Sequence, residues 1–280
     1  MAPTGQIERR IVALARTGDI EVIPMKSVKD QLAIIPKETT VAVTCSVKFG
    51  LDRTIEYAEL LAKAGHTLRV HIAARQVPSR TYLSELVEQL AGLGVAQLHV
   101  IGGDAEEPVG KYSESAELIE DLSTMNHGFE ISVACYPEGH PSIPDKVLFE
   151  ALQRKQPHVS FMINQLCFDP KVLETWLRSM RDMGITLPLR MGIAPPISPT
   201  KLLDLSVKIG VGTSMRFLSK QHGMIGTLLR GKFYKPEKLL ADLGGALISP
   251  EMKIDGLHIF SFNQLQTTVD WQQRVGSAAS

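Results

Sequence analysis

Cysteine is scarce in this chain. Cys45, Cys135 and Cys167 are the three among 280 residues, and each lies within an apolar run far from the others. Three widely separated cysteines are not a disulfide framework, and neither they nor the eight histidines show the spacing of a metal site. We therefore predict buried free thiols and no bound metal.

Net charge and long apolar runs are also missing. The 30 Lys and Arg residues balance the 30 Asp and Glu residues. The net charge of the chain therefore provides no attraction to nucleic acid or to an anionic membrane. No apolar run reaches the roughly 18 residues that span a bilayer, and the N-terminus lacks the pattern of a secretory signal. We expect a cytoplasmic protein without nucleic-acid or membrane partners, and the sequence leaves its oligomeric state open.

A regular alternation of strands and helices is what the chain does have. An amphipathic helix is predicted at 1–16, and the segment 199–248 is predicted to be mostly helical. The predicted strands are 20–25, 40–45, 67–73, 97–101, 129–136, 159–165, 187–193 and 256–262. Eight such units favour one (β/α)8 TIM-type barrel over residues 1–280, with an extra N-terminal helix, although an open doubly wound sheet is the alternative.

In such a barrel the carboxyl ends of the strands meet at one mouth. The residues predicted there are Glu21, Thr44, His71, Asp104, Tyr136, His140, Gln165 and the segment 258–263. This mixture of proton donors, acceptors and an aromatic surface suits a small polar heteroaromatic substrate. Burial between apolar neighbours would make Glu21 a general acid, but the residues alone favour a glutamate at a strand edge. For Asp104, which follows Gly102-Gly103, the residues alone favour an ordinary turn aspartate.

Two motifs in order along the chain resemble one enzyme family. Residues 131–141, Ile-Ser-Val-Ala-Cys-Tyr-Pro-Glu-Gly-His-Pro, are similar to the strand-end signature of the methylenetetrahydrofolate reductases, and residues 163–169, Ile-Asn-Gln-Leu-Cys-Phe-Asp, to their second signature. Weaker similarities occur at Asp52-Arg53-Thr54, at Gly192-Ile193-x-Pro195 and at 258–263. The resemblance implies a folate-reducing barrel enzyme of one-carbon metabolism and methionine biosynthesis.

The resemblance also implies roles for the candidate residues. Glu21 would donate the proton that opens the methylene bridge, Asp104 would face the pterin as a second catalytic residue, and Gln165 would hold the pterin by paired amide hydrogen bonds. The remaining assignments are Thr44 and Phe262 to folate, and His71, Tyr136, His140 and Gly103 to the cofactor.

Departures from the family pattern concentrate on the flavin side. The family's arginine before Gly-Asp is Gly102 here, an acidic residue expected after His-Pro falls at Leu148, and a Gly-rich turn is replaced by 46–49. A hydrogen cannot replace a guanidinium. We therefore predict direct hydride transfer from NADH or NADPH to the folate, without FAD. The alternatives are an FAD-dependent reductase in which another cation compensates for Gly102, a non-catalytic folate-binding protein, or a barrel methyltransferase.

Overall fold

Eight parallel strands close into a barrel in the computed structural model, which describes residues 4–198, 201 and 234–278. Each strand pairs with the next along the chain, and the last pairs with the first. The strands are β1 (Asp19–Val22), β2 (Val41–Val43), β3 (Leu68–Ala73), β4 (Gln97–Ile101), β5 (Glu130–Cys135), β6 (Phe161–Asn164), β7 (Leu189–Ile193) and β8 (Ile254–Phe260). The predicted TIM-type barrel is confirmed.

Helices cover the outside of this barrel. The α-helices are α1 (Thr4–Arg16), α2 (Gly50–Lys63), α3 (Arg80–Gly92), α4 (Ser115–Ser123), α5 (Asp145–Lys155), α6 (Pro170–Asp182), α7 (Pro236–Leu243), α8 (Gly245–Ile248) and α9 (Leu265–Gly276). Short 3-10 helices lie at Lys26–Ile34, Ala74–Gln76 and Gln156–His158. Most of the predicted helical segment 199–248 lies outside the described residues. None of the helices in the described ranges is both long and apolar enough to cross a membrane.

The extra N-terminal helix is present and packs on the last one. The side chain of Gln272 in α9 donates to the backbone carbonyls of Ala15 and Gly18, at 3.1 and 2.8 Å. Arg16 donates in return to the carbonyl of Gly276 at 2.8 Å. The first and last helices are therefore hydrogen-bonded to each other outside the barrel, just as the first and last strands pair within it.

Local chemistry explains where several elements begin and end. The Asp169 carboxylate accepts from two backbone amides at the start of α6, and Pro170 occupies the first turn. The predicted strand 256–262 is wrong at its end, because Phe262 and Asn263 turn into the left-handed region, with φ of 50° and 58°. The predicted strand 20–25 likewise ends early, at Val22.

The strands place their apolar side chains outward against the helices, with alternate polar side chains inside the barrel. In β3, Leu68, Val70 and Ile72 join the core while Arg69 and His71 face inward. Side-chain contacts connect the inner polar residues in two layers. The lower layer, towards the amino ends of the strands, contains Asp19, Arg69, Gln97, Glu130 and Arg190, and the layer above it contains Glu21, His71, His99, Ser132 and His258.

The cysteines are where their apolar surroundings predict. Cys45, Cys135 and Cys167 are buried free thiols. Burial raises the pKa of all three thiols above the ordinary value. Such thiols pack as small apolar side chains and are poor nucleophiles.

Candidate active site

The floor of the candidate site is a buried charge cluster. Arg69, which is fully buried, donates to Asp19 at 2.6 Å and to Gln97 at 2.5 Å. Arg190 approaches the same Asp19 carboxylate at 3.1 Å. Both guanidinium groups lie over the ring of Phe161, at 4.9 and 4.3 Å from its centroid. Several partners therefore fix the guanidinium of Arg69 in one position.

Glu21 lies directly above this floor. Glu21 is 8% exposed, and its Oε2 lies 3.1 Å from Nε2 of His258 in the neighbouring β8. The hydroxyl of Ser261 donates to the Glu21 backbone carbonyl and holds the end of β1. Burial raises the pKa of the Glu21 carboxyl to about 7, against the opposing effects of His71 and Arg69. A carboxyl with that pKa is partly protonated at neutral pH, as a general acid must be.

Three histidines share the layer of Glu21. The ring centroid of His71 lies 4.6 Å from that of His99 and 6.2 Å from that of His258. Burial lowers the pKa of His71 and of His258 to about 3, and lowers that of His99 well below its ordinary value. All three rings are therefore neutral at pH 7. Nε2 of His71 is buried and has no hydrogen-bond partner among the described residues.

Glu21, His71 and His258 have the donor types of a metal site. Their nearest ligand atoms all lie within 4.8 Å of one another, and all three residues are buried. A guanidinium N–H of Arg69, however, lies 3.4 Å from Nδ1 of His258. Since an arginine can only donate, this contact makes Nδ1 the acceptor and places the proton of the ring on Nε2. The lone pair that a metal would need at Nε2 is then absent. The geometry therefore favours a hydrogen bond from Nε2–H of His258 to Glu21 over a bound metal.

The predicted residues Asp104, Tyr136 and His140 come together at the rim. The rings of Tyr136 and His140 meet edge to face, with centroids 5.2 Å apart. Burial raises the pKa of Tyr136 to about 12, and the nearby Asp104 carboxylate adds to this effect. Burial lowers the pKa of His140, which Asp104 partly opposes. Asp104 is exposed, so an anionic group and two aromatic rings face one part of the mouth.

The turn after β4 contains the position where the family pattern has an arginine. A Cβ added to Gly102 would meet nothing within 4 Å, whereas one added to Gly103 would lie 2.8 Å from the Cβ of Ala73. Gly103 also has a φ of 90°. Arg75 donates its backbone amide to the Gly102 carbonyl at 3.0 Å, and its guanidinium donates to three carbonyls of the following loop. The cation at this turn therefore already holds the loop and is a poor substitute for a phosphate-binding arginine.

The three residues assigned to folate lie at the ends of different strands. Oε1 of Gln165 accepts from the amide of Leu166 at 2.9 Å, so paired hydrogen bonds to a pterin would require its carboxamide to turn. The amide of Thr44 donates to the Val22 carbonyl at 3.0 Å, which ties the end of β2 to β1. Phe262 is half-buried at the end of β8. It packs on a separate apolar cluster formed by Leu166, Phe168, Ala194 and Ile197.

The structure thus divides the predicted residues into two groups. Glu21 and His71 lie inside the barrel, while the other seven lie at the strand ends and in the loops that follow. Residues that the sequence prediction missed are Asp19, Arg69, His99, Ser132 and Arg190, and His258 was included only as part of a segment. The signal that could have found them is the polar residue at every second position of otherwise apolar strands.

The fold and this interior define the chain as a (β/α)8 barrel protein with a buried acid. Its fold is similar to that of oxaloacetate acetylhydrolase in complex with 3,3-difluorooxalacetate, with a TM-score of 0.53 at 12% identity over 94% of this chain and 81% of that one. It is also similar to 2,3-dimethylmalate lyase, with a TM-score of 0.51 at 9% identity over 98% and 85%. Identities this low show the fold alone.

Sequence comparison supplies the family. The family model for methylenetetrahydrofolate reductase matches residues 33–212, more than half of the chain, and the chain belongs to this family. A Caenorhabditis elegans protein named probable methylenetetrahydrofolate reductase (NADPH) is 29% identical over 147 residues, 49% of this chain and 22% of that protein. The 5,10-methylenetetrahydrofolate reductase of Pectobacterium carotovorum is 26% identical over 205 residues, 72% of this chain and 66% of that protein. The matches therefore span less than two thirds of either relative.

Proposed function

We propose that this protein reduces 5,10-methylenetetrahydrofolate to 5-methyltetrahydrofolate with NADH or NADPH, by direct hydride transfer without FAD. The observation that carries the proposal is the buried Glu21 carboxyl, whose pKa of about 7 makes it a proton donor at neutral pH. Membership of the family supplies the folate as substrate. The NADPH in the name of the Caenorhabditis elegans relative supports a nicotinamide nucleotide as the reductant.

Glu21 provides the proton for the first step. The proton passes to the bridging nitrogen as its bond to the methylene carbon breaks, and the electron pair of that bond goes to the nitrogen. The methylene carbon is left as an electrophilic iminium on the other nitrogen. Hydride from the nicotinamide then reduces this iminium to a methyl group, and the nicotinamide is oxidised. The reaction requires both ligands at the mouth together, so positioning is the main task of the protein.

Rim residues would perform that positioning. Asp104 would polarise the pterin, Gln165 would bind it through its carboxamide, and Thr44 would contact the folate from the end of β2. Phe262 and the apolar cluster beneath it offer a flat surface for an aromatic ring. We assign the nicotinamide to the part of the mouth formed by Tyr136, His140 and Gly103, next to Asp104 and with His71 below it.

The flavin side supports a mechanism without FAD. Gly102 provides no cation, and the guanidinium of Arg75 is used by three loop carbonyls. Leu148, where an acidic residue would bond a cofactor ribose, lies in the first part of α5. These residues do not fit the phosphate and ribose of a flavin nucleotide, and no step of the proposed reaction depends on one.

An absorbance spectrum of the purified protein, followed by an assay without added flavin, tests the proposal. We expect a colourless protein that oxidises NADH or NADPH when methylenetetrahydrofolate is added. A yellow protein, or one that is active only after FAD is supplied, would establish the flavin-dependent alternative. Folate binding without any turnover, even with FAD, would identify a binding protein instead.

Glu21→Gln tests the acid, with Glu130→Gln as its matched control. Glu130 is a strand glutamate at the amino end of β5, where it accepts from Gln97 at 2.6 Å. We expect Glu21→Gln to bind folate normally and to lose at least about a hundredfold in kcat, the contribution of a general acid. Glu130→Gln should keep full turnover. Unchanged turnover in Glu21→Gln would refute the assignment of the acid.

A further inference from the structure

The contacts around His258 determine which of its nitrogens carries the proton. Nδ1 lies 3.4 Å from a guanidinium nitrogen of Arg69, and Nε2 lies 3.1 Å from Oε2 of Glu21. The ring is 1% exposed, so these neighbours decide its tautomer. Arg69 has no acceptor atom and is protonated at every relevant pH. Nδ1 must therefore accept, and Nε2–H must donate to Glu21.

Arg69 cannot easily move away from this role. Nη1, the nitrogen that approaches His258, also donates to Asp19 at 2.6 Å, while Nη2 donates to Gln97 at 2.5 Å and the guanidinium lies over Phe161. The residue is fully buried. Arg69 and its partners in the floor of the barrel thus fix Nε2–H as the donor on His258.

This arrangement has a consequence for the Glu21 carboxyl. An oxygen that accepts from Nε2–H is the carbonyl oxygen of the protonated carboxyl, so the transferable proton must be on the other oxygen, Oε1. We propose that His258, oriented by Arg69, is a positioning residue that holds the proton of Glu21 on Oε1, facing away from the histidine. The proposal rests on the proposed function for its catalytic meaning, although the tautomer itself does not depend on it.

The charged and titratable neighbours of Glu21 among the described residues are consistent with this role. Arg69 and His71 face it from β3, His258 from β8 and Asp19 from its own strand, with His99 of β4 behind His71. Burial lowers the pKa of His258 to about 3, so the ring stays neutral and does not compete with Glu21 as the acid. The same tautomer argues against a metal on Glu21, His71 and His258.

Nitrogen-15 NMR of the imidazoles in the folded wild-type chain tests the tautomer without a variant or a substrate. Signals are assigned by their loss in His258→Gln. We expect the Nε2–H form of His258 at pH 8. A predominant Nδ1–H form, or stoichiometric Zn²⁺ binding that shifts the His258 signals, would overturn the proposal.

Carbon-13 NMR of the Glu21 carboxyl tests the hydrogen bond itself. A donor stabilises the carboxylate, so His258→Leu should raise the pKa of Glu21 by about one unit relative to wild type. His258→Gln retains an N–H donor near the position of Nε2, and we expect it to restore most of the wild-type value. An unchanged pKa in His258→Leu would overturn the proposal, even if the protein proved to have no reductase activity.

Kinetics then separates positioning from mere packing. In His258→Leu we expect kcat to fall about a hundredfold with KM within about twofold, and the alkaline limb of the pH profile to move upwards. His258→Gln should recover at least a tenth of the wild-type kcat. Equal losses in both variants with an unshifted pH profile would show that His258 only fills space. Wild-type inactivity combined with the expected tautomer would count against the proposed function alone.

Discussion

Asn263 hydrogen-bonds both backbone groups of Ile23. Its side-chain oxygen accepts from the Ile23 amide at 2.9 Å, and its nitrogen donates to the Ile23 carbonyl at 3.0 Å. The asparagine has a φ of 58°, in the left-handed region that Asn tolerates better than most residues. One side chain therefore replaces the strand pairing that β1 and β8 lose at their ends, two residues after Glu21.

Replacing Asn263 should loosen the support of Glu21. We expect Asn263→Gly, which permits the same φ but has no side chain, to cost about 1–3 kcal/mol in free energy of unfolding, because the partly buried Ile23 amide loses its acceptor and the Ile23 carbonyl keeps only the Met25 amide as a donor. Asn263→Asp keeps the acceptor for the Ile23 amide and should lose less. Denaturant unfolding of the three proteins measures this, and equal stability of wild type and Asn263→Gly would contradict it.

Because of Glu21, the free energy of unfolding should fall as the pH rises. The folded carboxyl has a pKa of about 7 against an ordinary 4.5, so the native state holds its proton more tightly and loses stability as pH rises through that window. Glu21→Gln removes this penalty. We expect it to be more stable than wild type above pH 7, by up to about 3 kcal/mol, with little difference below pH 4.5. Unfolding curves at pH 4.5 and pH 8 provide the comparison.

The buried histidines should act in the opposite direction. The pKa of folded His71 and His258 is about 3 against an ordinary 6.5, so the unfolded chain binds more protons between these values. Their contribution to stability is complete above pH 6.5 and is lost as the pH falls. We expect His258→Gln to reduce the slope of unfolding free energy against pH by up to about 1.4 kcal/mol per unit.

Neighbouring glycines after β4 should respond differently to the same substitution. Gly103→Ala places a Cβ 2.8 Å from that of Ala73 at a φ of 90°, and we expect it to cost at least about 1–3 kcal/mol. Gly102→Ala meets no atom within 4 Å and should change stability by less than about 0.5 kcal/mol. Thermal unfolding compares the two, and similar melting temperatures would contradict the described turn.

Gly102→Arg extends this comparison to the cofactor. The open space at this position should accept the side chain. If the missing cation is one reason for the proposed absence of FAD, the variant should bind FAD more tightly than wild type when the two are titrated side by side. Equal FAD affinity would show that Gly102 is not what limits flavin binding.

The barrel could be predicted from the sequence because its signal is regular. Each strand is an apolar run between helical segments, and the element order alone indicates a parallel barrel. The ends were less predictable. Ile23 lies in an apolar stretch that favours strand, yet its backbone bonds the Asn263 side chain 240 residues away, and no local pattern encodes such a contact.

The interior of the site was only partly predictable for a related reason. Glu21 was identified through a family motif, but its pKa depends on burial and on Arg69 and His71, which only the closed barrel brings near it. Arg69 was overlooked because an arginine in a strand usually faces solvent. Its burial follows from pairing with Asp19, a residue 50 positions earlier.

The contact between Glu21 and His258 joins the first strand to the last. During synthesis β1 emerges early, and until β8 has been made and docked the Glu21 side chain is an ordinary solvated glutamate. The raised pKa of Glu21 therefore depends on the pairing of the first strand with the last. If the seam between β1 and β8 were open, the Glu21 side chain would be solvated and its carboxyl pKa would be ordinary. The ionisation of one side chain thus reports whether the whole barrel has closed.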